Sequence, residues 1–254
     1  MLRPTVSRFH ITLGIALLLG AVAVVLGKIP LLIVVVAAFI LVVGLGVAIP
    51  QMRFFGPFVC RGDTTHKRVA LTFDDGPDAP TPALLDFLRE AKVEAAFFCI
   101  GKRVAANPEL AARIVREGHL LENHSYAHSD ATNFFTVARL KEDLTQAQTT
   151  IEQATGIVPR MFRPPIGLSN PRTFRAARTL GLTVVGWTAG GLDTMTTDPQ
   201  RIVRRIVRRL KSGAIILLHD GGIPREQLLA TVKLLLDTLG SRGYEVVRLD
   251  RLLA

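Results

Sequence analysis

The 254-residue sequence predicts an α/β domain on a mainly parallel sheet, preceded by an N-terminal two-helix transmembrane hairpin. Two observations predict the domain. From residue 67 onward, short runs rich in β-branched and aromatic residues alternate with helical patterns, the series a parallel sheet with crossover helices requires. Polar groups able to do chemistry follow five of the apolar runs, and in a closed barrel or a doubly wound sheet alike chemistry gathers at the carboxyl ends of the strands. A third observation predicts the hairpin: residues 1–50 hold none of the 21 acidic residues and, of the 31 basic ones, only Arg3, Arg8 and Lys28.

The runs 11–27 and 31–49 are uncharged and apolar. At about 1.5 Å per residue each nearly or fully crosses a hydrocarbon core of about 30 Å. Lys28-Ile29-Pro30 breaks them into a tight hairpin. A signal peptide fits less well, because a second apolar run follows at once and no small-residue cleavage site leads into a polar chain. A buried soluble hairpin fits less well still, since neither run has a polar face. Two spans leave both ends on one side. Arg3 and Arg8 before them, and Arg53, Arg61, Lys67 and Arg68 after them, outweigh Lys28 in the turn, so the positive-inside rule puts the domain in the cytoplasm. Chemistry on an extracellular substrate would prefer the other side. The expected division is a hairpin over 1–52, a linker over 53–66 and a domain over 67–254.

In the domain, "RVALTF" and "AAFFCI" read as buried strands. "TPALLDFLREA" between them reads as a helix with Thr81 as cap and Pro82 at its first position. "NPELAARIVREG" and "LKEDLTQAQTTIEQATG" read as helices closed by Gly118 and Gly156. "MFRPP" is a short strand, "PRTFRAARTLG" a helix and "LTVVGW" a strand. "DPQRIVRRIVRRLKSG", "AIILLHD", "REQLLATVKLLLDTLGSRG" and "YEVVRL" continue the alternation to a closing strand. Cys60 and Cys99 lack metal-type spacing and read as reduced small apolar residues. No basic patch is interleaved with aromatics, so nucleic acid is not an expected partner; anionic lipid or sugar is.

The chemistry begins at "TFDDGPD", where Asp74 and Asp75 end an apolar strand. Adjacent like charges there need a solvated loop or a compensating cation. His124 and His128, four residues apart, would share one face of a helical turn. With one aspartate from another strand end they make a two-histidine, one-carboxylate set with open positions, suited to one divalent metal. The alternative is a surface histidine pair beside a solvated acidic turn. Gly at position 76 argues against a phosphotransfer site of the Asp-x-Asp kind. His10, His66 and His119 read as loop, core-edge or interface histidines. Trp187 fits the core or the site, and Tyr126 a sugar contact or a shield for the metal. Arg201, Arg204, Arg205, Arg208, Arg209 and Lys211 form one face of an amphipathic helix, opposite Ile202, Val203, Ile206, Val207 and Leu210, either solvated or laid on lipid headgroups.

"LTFDDGPD", "NHSYAHSD", "RPPIG", "WTAGGLD" and "IILLHDG" occur in that order, and together they resemble the five motifs of the polysaccharide deacetylases, the NodB-homology or carbohydrate esterase family 4 enzymes. The resemblance covers roughly Arg68 to the C-terminus. It implies a distorted (β/α) barrel and metal-dependent removal of an acyl group, acetyl or formyl, from an amino sugar of a glycan or lipid-linked saccharide. It implies Asp74 as general base, Asp75, His124 and His128 as metal ligands, Arg163 as the arginine holding the base, His219 as general acid and Asp193 as its orienting carboxylate. It further implies Leu217 as the wall for the acyl methyl and the Ile166 N–H as an oxyanion donor; Trp187 is a candidate substrate contact. The ion expected is Zn2+, with Co2+, Ni2+ or Fe2+ fitting the same set. The competing expectation is a non-catalytic, membrane-anchored glycan-binding module on the same fold. Ile166 and Thr194 stand where the family usually has aromatics, and the chain has one Trp and two Tyr in all. A short or lipid-linked acceptor at the bacterial inner membrane is expected rather than a long polymer.

Overall fold

The computed structural model describes residues 7–254. Two helices come first, α1 (Arg8–Val25) and α2 (Ile29–Ala48), of 18 and 20 residues with mean hydropathies of 2.0 and 3.2. Both are long and apolar enough to cross a membrane, and 6% of each is buried against the rest of the chain. They start two or three residues earlier than the apolar runs suggest. Pro30 lies in the first turn of α2 rather than in the break, because its missing N–H is one of those a helix start leaves unpaired anyway. The turn falls instead at Gly27, in the left-handed region.

Within the segment expected to be a linker, 53–66, the stretch from Phe54 to Arg61 packs against other parts of the chain. Phe54, Phe55, Phe58 and Cys60 are buried, and Phe58 meets Phe174 edge to face with ring centroids 5.2 Å apart. Four apolar side chains in this stretch are reason enough for it to pack rather than span.

The sheet contains β1 (Arg68–Asp74), β2 (Ala96–Cys99), β3 (Leu120–Asn123), β4 (Met161–Phe162), β5 (Thr183–Val184), β6 (Ala189–Gly190), β7 (Ala214–His219) and β8 (Glu245–Val246). Its order is β5-β4-β3-β2-β1-β7-β6, with β8 also paired to β1, and every strand pair is parallel. Residues 59–61 fill the seam: Val59 bridges Val185 in parallel and Arg61 bridges Ala214. The result is a curled, distorted (β/α) barrel. The expected strand "LTVVGW" is only two residues of β5, and the chain then kinks into β6, which the sequence does not announce.

Helices α3 (Thr81–Glu90), α4 (Gly101–Ala106), α5 (Pro108–Arg116), α6 (Val137–Thr155), α7 (Pro171–Thr179), α8 (Pro199–Arg208) and α9 (Arg225–Ser241) surround the strands. Helix α8 turns Ile202, Val203 and Ile206 inward and leaves Arg201, Arg204, Arg208 and Arg209 exposed, as its pattern requires. A last helix, α10 (Leu249–Leu253), puts Leu249 and Leu252 among the side chains inside the barrel.

Strand periodicity positions the site. On β1, Val69, Leu71 and Phe73 face the helix layer, so Ala70, Thr72 and Asp74 face the interior. On β7, Ile216 and Leu218 face out, which turns Ile215, Leu217 and His219 inward. Parallel register sets Thr72 beside Leu217 and Asp74 beside His219. The interior is therefore apolar near its amino end and polar at the carboxyl mouth.

Phe58→Ala is expected to cost about 3–5 kcal/mol, the usual loss for an aromatic in a filled core, where a true linker position would lose almost nothing. Denaturant unfolding of the detergent-solubilised chain measures it.

Candidate active site

Asp74 ends β1 and Asp75 follows in the left-handed region, φ 73°. The turn throws the two carboxylates to different partners. Asp74 Oδ1 accepts from Arg163 Nη1 at 2.6 Å, while its Oδ2 stands 3.9 Å from His124 Nε2. Asp75 Oδ1 lies 3.3 Å from His124 Nε2 and 3.1 Å from His128 Nε2. That oxygen is buried and has no hydrogen-bond partner, so three ligand atoms face one another instead of pairing off. Burial disfavours the Asp75 anion, but the two imidazoles outweigh it and hold the carboxyl well below its ordinary range.

The expected helical turn for the histidines is absent. His124–His128 is a loop leaving β3, with Ser125 at φ 66° and His128 at φ 47°. These two left-handed residues curl the chain until the rings lie 5.0 Å apart, a spacing like that a helix would give. The loop is tied down by side chains. Tyr126 N and Ala127 N donate to the two carboxylate oxygens of Asp143 on α6, Ser125 N donates to Asn123 Oδ1, and His128 N donates to Ser125 Oγ.

His124 Nδ1 lies 2.7 Å from the Arg163 carbonyl. A carbonyl only accepts, so Nδ1 carries a proton and Nε2 is the nitrogen turned toward Asp75 Oδ1. In the neutral ring that nitrogen would meet the Asp75 oxygen lone pair to lone pair at 3.3 Å, a contact that a proton or a metal ion between them relieves. The residues therefore fit a divalent metal: Asp75, His124 and His128 offer ligand atoms all within 4.8 Å of one another.

Arg163 itself is fully buried, with its guanidinium 4.0 Å from the Phe98 ring centroid. Besides Asp74 it donates to Thr72 Oγ1 and to the Gly186 carbonyl. Across the mouth, His219 Nδ1 pairs with Asp193 Oδ1 at 3.0 Å, and the His219 N–H donates to the other oxygen of the same carboxylate. Burial lowers the His219 pKa, but Asp193, reinforced by the charges of Asp74 and Asp75, reverses this and raises it to about 9. Gln227 holds the Asp193 loop by donating to the Asp193 and Thr196 carbonyls.

Ile166 sits at φ 59°, half exposed, and the next residue, Gly167, is also left-handed. The Trp187 ring occupies the space a Cβ on Gly167 would need, and its indole edge lies beside Gly190, near Leu217. Trp187 is thus a wall between the loop after β4 and the barrel interior. Thr194 is exposed.

Two acids support the site in ways the sequence does not show, although Asp220 stands in the quoted motif "IILLHDG". Asp143 appears in a helix as one acid among others. Asp220 is wholly buried behind the aspartate turn, filling the space beside Gly76 and accepting from the Thr81 hydroxyl at 2.6 Å. Burial raises its pKa to about 7, more than that hydrogen bond lowers it. Thr81 is therefore not the helix cap the sequence suggested; the cap position is Pro80. Cys60 and Cys99 are free and buried, and burial pushes the Cys60 thiol up to about 11.

The carboxyl mouth of the parallel barrel thus gathers a candidate Asp-His-His cation site, an Arg-held aspartate and an Asp-held histidine, a constellation able to assist hydrolysis. Comparison with known proteins narrows it. Residues 61–185 match the family model for polysaccharide deacetylase. Over 191 residues the chain is 39% identical to a peptidoglycan-N-acetylglucosamine deacetylase of Bacillus cereus, covering 74% of this chain and 89% of that one. A family 4 carbohydrate esterase from Streptomyces lividans, solved in complex with acetate, is 34% identical with a TM-score of 0.65 over 74% of this chain and 93% of that one. A family 4 pseudoenzyme from Bacillus anthracis is 26% identical with a TM-score of 0.72 over 78% and 69%. The chain belongs to the polysaccharide deacetylase family.

Two outcomes test the geometry. In Asp193→Asn the His219 ring is expected to titrate well below about 9, because burial is then opposed only by the charges of Asp74 and Asp75. NMR titration of the ring reads it. The stability from this pair is full below pH 6.5 and lost as pH rises through about 9. Asp143→Ala is expected to weaken Zn2+ binding about 10- to 100-fold by loosening the ligand loop, measured by calorimetry on the chelator-stripped chain.

Proposed function

We propose that this chain is a membrane-anchored, metal-dependent hydrolase that removes an N-acyl group, acetyl or formyl, from an amino sugar. The observation that carries this reading is the convergence of Asp75 Oδ1, His124 Nε2 and His128 Nε2 beside an Asp74 already held by Arg163. Two imidazoles and one carboxylate suit Zn2+ best, and Co2+, Ni2+ or Fe2+ fit the same donors. A divalent ion bound there supplies Lewis-acid polarisation of the acyl carbonyl and acidifies water.

The chain's own residues do the rest. Arg163 fixes Asp74 Oδ1, which leaves Oδ2 to take the proton from the attacking water. The Ile166 N–H donates to the oxyanion as the carbonyl carbon becomes tetrahedral. Leu217, inward-facing and nearly buried, receives the acyl methyl, and Trp187 closes the pocket beside it. His219, protonated at neutral pH, gives its Nε2 proton to the leaving nitrogen, and Asp193 holds Nδ1 so that Nε2 faces the mouth. The carbon–nitrogen bond then breaks to give a carboxylate and a free amine.

The relative from Bacillus cereus supports N-acetylglucosamine as the sugar type. Ile166 and Thr194, in place of aromatics, favour a short or lipid-linked acceptor over a long polymer. Two apolar helices support anchoring, and Arg8 and Arg53 at their foot, with Lys28 alone in the turn, support a cytoplasmic domain at an inner membrane. The pseudoenzyme neighbour keeps a second reading open, a glycan-binding module without turnover.

Acetate or formate release from N-acylated amino sugars is expected to stop with a chelator and return with a divalent metal. Asp74→Asn and His219→Ala are each expected to lower turnover about 10²–10⁴-fold. Sugar binding without product release, in the metal-loaded chain, would establish the binding-module reading instead.

A further inference from the structure

Outside the hairpin and its end at Ile49, the exposed large apolar side chains among the described residues are unevenly placed. Phe134 is 81% exposed, Met195 77%, Ile166 60% and Leu192 51%. All four lie on loops that leave strand carboxyl ends, after β3, β4 and β6, and so ring the mouth of the site. Ile157 and Val158 are the others, on the connection into the amino end of β4.

Two of the rim loops are tied to the foot of the hairpin. Gln51, three residues past α2, donates from Nε2 to the Trp187 carbonyl at 2.7 Å, and the Trp187 ring packs on Gly167 beside Ile166. Gly56 packs against Phe174 of α7, and Asn170, which caps α7, donates to the carbonyl and side chain of Asn133 next to Phe134. The foot also gathers Phe9, Phe54 and Phe55, with Arg8 donating to the Met52 carbonyl. Exposed Arg172 donates to the Asn133 carbonyl, and Arg139 lies 3.8 Å over the Phe135 ring. Apolar tips flanked by arginines, at the level where two apolar helices leave the domain, have the composition of a bilayer interface.

We propose that the mouth of the barrel is a membrane-docking surface, with Phe134 and Ile166 resting in the interfacial layer of the bilayer that the hairpin crosses and the arginines on its anionic headgroups. The inference rests on the hairpin reading above. It deepens the substrate class: the amino sugar enters from the lipid surface, carried on a membrane-bound molecule, rather than from a strand of polymer in solution.

The full chain in vesicles of phosphatidylcholine and phosphatidylglycerol tests this. Cys60 and Cys99 are buried, so Phe134→Cys and, as a control, Ile157→Cys take an environment-sensitive fluorophore selectively. The label at 134 is expected to shift to the blue, to be quenched by brominated acyl chains and to be shielded from iodide, while the label at 157 stays open to iodide. Equal iodide access at both sites overturns the docking surface, as does shielding at 134 in detergent that grows with protein concentration, which would assign the face to a second copy. Release of the chain by alkaline carbonate overturns the hairpin reading instead, so the two failures are distinct. This arm does not depend on turnover. In the active chain, Phe134→Ser is expected to lower turnover of an N-acetylglucosaminyl lipid about tenfold while sparing a water-soluble N-acetylated disaccharide; equal effects on both also overturn the proposal.

Discussion

Arg163 joins the two halves of the site. Its side chain holds Asp74, and its backbone carbonyl sets the tautomer of His124. A guanidinium with no exposed surface is tolerable only with charge and hydrogen bonds around it, and breaking such a buried pair costs about 3–5 kcal/mol. Here Asp74, Thr72, the Gly186 carbonyl and the face of Phe98 all serve. Because Thr72 in turn donates to the Ile216 carbonyl, the arginine is anchored to β7 as well as β1. The proposed base, one metal ligand and the strand bearing the proposed acid thus share a single buried cation.

The barrel supplies the rest through parity. A period of two on β1 and β7 leaves apolar residues facing the helices and puts Asp74, Leu217 and His219 on the inner face. The same walls that exclude water from Asp75 and His219 also strengthen their charge interactions. Burial alone would discharge both groups, and in each case the neighbours overcome it. Asp220, without such compensation, shows the opposite outcome and rises to about 7.

The hairpin is more than an appendage. Its foot packs through Pro50, Gln51 and Phe58 against the segment from β5 to Trp187, so hairpin and candidate site share a wall. A chain with few aromatics for stacking on sugar rings instead presents aliphatic and aromatic tips around its mouth. Both features suit the proposed acceptor, held at a surface.

Much was legible in the sequence. Apolar runs with no acidic residue specified the hairpin, alternating periods specified the parallel α/β series, and the aspartate pair, the two histidines, Arg163, Asp193 and His219 lay at recognisable strand ends. Those signals are local, and burial in a parallel sheet leaves a strong local imprint. Tertiary structure alone decided how the residues meet. The histidines come together through two left-handed loop residues rather than a helix, because Asp143 from a distant helix satisfies the loop's N–H groups. Thr81 left its cap role for a hydrogen bond to Asp220, 139 residues away. Residues 59–61 became a barrel seam, β5 shrank to two residues and β6 appeared, because closing a curved sheet fixes pairing by shear and space. Which side chains could hold a metal or move a proton is written in residue type and order; where each of their atoms points is set by partners far along the chain, which no local pattern encodes.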